Sequence, residues 1–123
     1  MIAVRTGMVL VIAAVATTAC VQRHYEWGGY DEALYRYYKD PAQADSFAEK
    51  LSLAIAQGET SGKIAPGLHA EYGYLLLAQG RSNDAVEQFE TEKRHWPEAK
   101  VLMDRMITLA RTGNGKKTAD KAQ

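Results

Sequence analysis

Five runs of apolar residues at helical spacing, each closed by a proline or a glycine, restrict this chain to a stack of short helices. In the first, Tyr30, Ala33, Leu34, Tyr37 and Tyr38 form one stripe on a helix over 30–38, with Tyr35 and Arg36 off it. Asp40-Pro41 ends that helix, because a residue before proline avoids the α region. Pro41 suits the first turn of a second helix over 41–57, striped by Ala44, Phe47, Ala48, Leu51, Ala54 and Ile55 and capped by Gly58. Residues 59–63 (ETSGK) read as a polar loop. A third helix opens at Pro66 and runs to Gln79, with Leu68, Tyr72, Leu75 and Leu76 on one side. Residues 80–83 make a tight turn, and Ser82 or Asn83 is the expected N-cap of a fourth helix ending at His95. Its inward face is Ala85, Val86, Phe89 and Trp96. Pro97 stops it and seeds a fifth helix to Thr112, striped by Leu102, Met103, Met106, Ile107 and Ala110 and capped by Gly113. Val101 and Leu109 lie outside that stripe, which is more apolar surface than a terminal helix needs.

Composition agrees, since alanine, leucine, glutamate, lysine and glutamine dominate and the chain has only 3 prolines. The expected fold class is all-α, a short antiparallel stack of helical hairpins with about five helices. The charges, 15 basic against 15 acidic, leave no basic excess to neutralise phosphates, which excludes nucleic acid as a partner.

Before the helices stands a different kind of segment. One charge, Arg5, precedes the unbroken apolar run 8–16 (MVLVIAAVA), and Thr17-Thr18-Ala19-Cys20 closes it with small residues. That order describes a secretory signal peptide over 1–19. The run is too short for a bilayer, which needs roughly 20 apolar residues. The stretch resembles the lipobox of bacterial lipoproteins, in which the cysteine is acylated and becomes the new amino terminus. Ala19 fits that pattern, whereas Thr17 stands where those proteins usually carry leucine. Cys20 is the chain's single cysteine, so no disulfide partner competes for it. The alternative is an ordinary cleaved signal, or an uncleaved anchor, with an incidental thiol. Cleavage before Cys20 leaves 104 residues, a single small domain. Within it, 20–26 is expected to be the lipidated cysteine and a polar linker, 27–112 the helical domain, and 113–123 a disordered polar tail.

Two resemblances extend this reading. Gly73, Gly80, Ala85, Phe89 and Pro97 are spaced like one tetratricopeptide repeat, with His69 and Leu76 at its Trp and Tyr positions. Gly28-Gly29-Tyr30-Asp31-Glu32-Ala33-Leu34 and Tyr37 resemble the turn and second helix of another, separated by an extra helix. A plain stack of hairpins with coincidental alanines is the alternative. The aromatic segment Tyr25-x-Trp27-Gly28-x-Tyr30-x-x-Ala33-Leu34-Tyr35-x-Tyr37-Tyr38-Lys39-Asp40-Pro41, after a lipobox cysteine, is similar to a family of small bacterial lipoproteins of unknown function. Their genes commonly lie beside a relative of the curli secretion channel CsgG and a second small lipoprotein. That resemblance implies an outer-membrane, lipid-anchored protein with a CsgG-like partner, and supplies no catalytic residues.

The chain carries no motif for chemistry. Its three histidines are scattered, and His69 lacks the His-Glu-x-x-His pairing, so they read as satisfied or solvent-facing and no metal is expected. Residues 113–118 (GNGKKT) echo a phosphate loop without its first glycine or its hydroxyl. Glu87, Glu90 and Glu92, with Lys93 and Arg94, read as a solvated face. No cofactor is expected. The function expected is that of a lipid-anchored adaptor rather than an enzyme, with an envelope enzyme or its accessory subunit as the alternative. In a tetratricopeptide hairpin the first helix lines the groove, which offers Ala70, Tyr74, Leu77 and Ala78 to a partner. Trp27 and Tyr35 join them, while Tyr30, Tyr37 and Tyr38 are assigned to the core.

Overall fold

Each apolar stripe finds its cover on the next helix along the chain. The computed structural model describes residues 24–120, and side chains as far as 113. They form α1 (Tyr30–Lys39), α2 (Ala44–Ser61), α3 (Leu68–Ala78), α4 (Ser82–His95) and α5 (Lys100–Asp120). Short 3-10 turns, Pro41–Gln43 and Pro97–Ala99, lead into α2 and α5. The architecture is all-α, and every substantial contact between helices joins chain neighbours, α1–α2, α2–α3, α3–α4 and α4–α5. No described helix is long and apolar enough to cross a membrane.

The helix α3 stands between two cores and serves both. On one side Leu68 and Leu75 pack with Ala33, Phe47, Leu51 and Ala54. On the other Leu76 packs with Ala85, Phe89, Met103, Ile107 and Ala110. Adjacent residues 75 and 76 thus face opposite neighbours, so α3 is wrapped on most of its circumference, as an inner helix must be. Two glycines permit the close approaches. A methyl group at Gly73 would lie 2.6 Å from Phe89 Cε1, and one at Gly58 would lie 2.8 Å from Ile64 Cα.

The start of α3 is held from outside. Glu92 is buried to 2% exposure. Its Oε1 accepts the Gly67 N–H at 2.6 Å and its Oε2 accepts the Ala70 N–H at 3.3 Å. A carboxylate from the last turns of α4 therefore caps the amino end of α3, satisfying two of its free donors and opposing its dipole. Farther along, Lys93 reaches Glu90 at 2.7 Å and Asp104 at 2.9 Å, and Lys100 also binds Asp104. Hydrogen bonds from Lys100 and Lys93 hold the Asp104 carboxyl below its usual range, and those to Glu90 and Asp104 hold the Lys93 ammonium above its own.

Several expectations need correcting. Gly58 does not end the second helix; it lies inside α2, which continues through part of the expected 59–63 loop to a left-handed Gly62 (φ 69°). Pro41 and Pro97 sit in 3-10 turns rather than in the helices proper, and Pro66 precedes a third helix that starts at Leu68. Neither Ser82 nor Asn83 caps α4: Arg81 holds that place without a side-chain cap, and Ser82 is buried. Glu92 is no part of a solvated face. Tyr38 and Leu102 leave their stripes for solvent, at 79% and 59% exposure, because the core-facing arcs centre on Ala33 and Ile107. The fifth helix does not stop at Gly113 but runs to Asp120, into the stretch expected as a tail. The linker is anchored from its end: Tyr25 packs on the first core, and the Glu26 N–H donates to the Lys63 carbonyl at 2.9 Å. The signal peptide and Cys20 lie outside the described residues.

Phe89→Ala opens a cavity between α3, α4 and α5, costing ~3–5 kcal/mol. Calorimetry should show a fall in Tm of more than about 10 °C. Gly73→Ala, pressing on the same ring from the other side, should cost less, about 1–3 kcal/mol. Glu92→Ala leaves the Gly67 and Ala70 N–H groups without their carboxylate and is expected to cost about 1–3 kcal/mol in urea unfolding, with Glu92→Gln losing only part of that.

Candidate functional site

Two surfaces stand out, one apolar and one polar. The apolar one follows the flank where α3 and α5 border the second core. Ala70 and Leu77 on α3, Met106 on α5 and Ala99 in the turn before it are half-buried against that core. Beside them Tyr74 is 57% exposed, and Leu102 and Leu109 are 59% and 54% exposed. On α5 the residues 102, 106 and 109 share one side at helical spacing, as do 70, 74, 77 and 78 on α3. On each of the two helices, exposed and half-buried apolar residues therefore run together beside the second core.

Of the partner residues expected from sequence, Tyr74 and Ala78 are exposed, whereas Ala70 and Leu77 are partly committed to the core. Trp27 and Tyr35 are exposed but belong elsewhere. Trp27 meets Tyr25 edge-on at 6.4 Å and Tyr30 at 5.7 Å. Tyr35 lies under the Lys39 ammonium at 5.6 Å. Tyr30 and Tyr37 pack on Phe47, as their core assignment required. Burial, then Glu71 and Asp31, pushes the Tyr30 hydroxyl above its usual range, and burial pushes the Glu71 carboxyl up.

The polar surface was not visible in sequence. Two of the three histidines that read as scattered are not: His69 from the first turn of α3 and His95 from the end of α4 stack with ring centroids 5.5 Å apart and planes 7° from parallel. Glu59, near the end of α2, places Oε1 3.3 Å from His69 Nε2 and 3.9 Å from His95 Nε2. His69 Nδ1 lies 2.8 Å from Gln88 Oε1. The His69 side chain is 4% exposed, and its buried Nε2 has no hydrogen-bond partner, because Glu59 Oε1 is near it but outside hydrogen-bond geometry. An open cleft of about 360 Å³ meets the cluster, lined in part by Ser52, Glu59, His69, Gln88 and Arg94. Arg94 is turned toward the Thr91 hydroxyl, 2.7 Å away. Among the described residues, Glu59, His69 and His95 are the group able to hold a metal ion. Three helices supply one ligand each, so no local spacing announces the group.

Residues 24–106 match the model of a family described as "Domain of unknown function (DUF4810)", a span that begins before α1 and ends within α5. No curated protein and no solved structure matches the chain.

Proposed function

The chain belongs to the DUF4810 family, a domain of unknown function, and from that premise we propose that it is a lipid-anchored adaptor of the cell envelope. It is tethered through Cys20 and binds a protein partner along the α3–α5 flank of a short tetratricopeptide-like stack. The observation that carries this reading is that exposed Tyr74 with half-buried Ala70 and Leu77 on α3, and exposed Leu102 and Leu109 with half-buried Met106 on α5, border the same second core. Exposed apolar surface contiguous with a core is what a protein interface uses, with an aromatic as anchor. Successive hairpins that leave one face open offer an extended groove to a peptide or a second domain.

The anchor rests on the apolar run ending in Thr17-Thr18-Ala19-Cys20. Two or more acyl chains hold a protein on a membrane where a single one does so only marginally. Val21, rather than aspartate, follows Cys20, which supports the outer membrane as the destination under the sorting pattern of proteobacterial lipoproteins. The resemblance to lipoproteins encoded beside a CsgG relative supplies the partner class, a CsgG-like lipoprotein with a second small lipoprotein. A second reading, an envelope enzyme or the accessory subunit of a cell-wall enzyme, is favoured by one observation, the convergence of Glu59, His69 and His95 beside an open cleft. Turnover of a cell-wall substrate by the purified protein alone would select it over the adaptor.

Cys20→Ser should abolish acylation at residue 20 by mass spectrometry and release the protein from the membrane fraction. Unchanged mass and fractionation would overturn the anchor. Tyr74→Ala and Leu102→Ala should each leave Tm within about 3 °C of wild type, since exposed substitutions cost little, yet weaken capture of the CsgG-like partner. Leu77→Ala, which also empties part of the core, should lower both. Retained capture by the Tyr74 and Leu102 variants would remove the flank as the docking surface.

A further inference from the structure

We propose that Glu59, His69 and His95 form a binding site for one divalent transition-metal ion, of which zinc is the best match, joining the ends of α2, α3 and α4. The ligand atoms of the three side chains all lie within 4.8 Å of one another. Bonds of about 2.0–2.2 Å to a tetrahedral zinc place neighbouring ligand atoms about 3.3 Å apart. His69 Nε2 and Glu59 Oε1 already stand at that separation, and His95 Nε2, 3.9 Å from the same oxygen and within 4.8 Å of His69, has to move closer to both.

The chemistry of His69 demands something between it and the carboxylate. Gln88 Oε1 accepts from Nδ1, so the ring carries its proton there and leaves the Nε2 lone pair free, 3.3 Å from Glu59 Oε1. Two acceptors then stand 3.3 Å apart, the His69 nitrogen buried and the Glu59 side chain half-exposed, with no hydrogen bond between them. A buried polar atom left in that state is costly. A cation bound by both turns the same geometry into two bonds. A ligating histidine that donates its other N–H to an oxygen is also the usual arrangement around a metal, because it fixes tautomer and ring orientation. Gln88 has that role here.

The donor set selects the ion. Two imidazoles and one carboxylate suit zinc and its neighbours, cobalt and nickel, whereas calcium and magnesium take six or more oxygens. Three protein ligands beside an open cleft leave a fourth position to water or to an incoming group, unlike closed structural sites with four. The metal acts on the fold as well as on the cleft, since its ligands come from three successive helices.

The test uses the full chain, stripped with a chelator and titrated with zinc chloride. One zinc per chain should bind and raise Tm by more than about 5 °C at saturation, while magnesium chloride does neither. Cobalt in its place should give visible bands of a four- or five-coordinate nitrogen–oxygen site without a thiolate charge-transfer band, which sets Cys20 aside. Glu59→Gln and His95→Ala replace half-exposed side chains, so the metal-free Tm should hold, but zinc affinity should fall at least about tenfold, and Gln88→Ala should cost about 10–100-fold. If His95→Ala does not fold, His95→Gln and the wild-type cobalt spectrum decide. Zinc that leaves Tm unchanged, binds the variants as tightly as wild type, or gives a thiolate band would overturn the site.

Discussion

The buried carboxylate of Glu92 governs how the two halves of this molecule meet. It leaves α4 near its end and caps the amino terminus of α3, so the antiparallel pair is locked in register at one pole, while Gly73 and Phe89 set their spacing at mid-length. Removing a charged group from water is worthwhile only where donors replace the solvent, and the free N–H groups of a helix start are such donors. Once α3 is placed, its two sides fix the positions of α2 and α5 through separate cores.

That pole also gathers the polar residues. His69 stands one position before Ala70, whose N–H Glu92 accepts, and His95 one turn beyond Glu92, so the cap that aligns α3 with α4 also brings the two rings into a stack. The segment before α1 closes the same end: Tyr25 meets Trp96 edge-on at 6.0 Å, and Glu26 pairs with the chain beside Ile64. The apolar flank occupies different ground, on the open side of α3 and α5. The polar cluster and the apolar flank are therefore separate features of one scaffold, and variants in one are not expected to report on the other.

The helices were legible because burial imposes a period, and the period survives in Phe47–Leu51–Ala54 and in Met103–Ile107–Ala110. Signals that depend on a partner distant in sequence were not. Gly58 looks like a terminator until Ile64 is seen against it; the glycine serves close approach there, not a left-handed turn. Glu92 sits among Glu87, Glu90, Lys93 and Arg94 at spacings that suit a solvated surface, and nothing local marks it as the one that turns inward. The histidines follow the same rule, each unremarkable on its own helix. Ala70, Tyr74, Leu77 and Ala78 share one side of α3, but periodicity does not tell which members of such a side stay open and which, like Ala70 and Leu77, are drawn against a core.

Because each helix rests mainly on its chain neighbours, the order of contacts in space follows the order of synthesis. Few long loops have to close before packing begins, and low contact order of this kind goes with fast folding. The α3–α4 pair, with the most extensive contacts and the shared cap, is the natural nucleus, onto which α2 and α5 add from either side. Such an assembly route leaves each apolar stripe uncovered only briefly, which limits the time in which it can meet another chain.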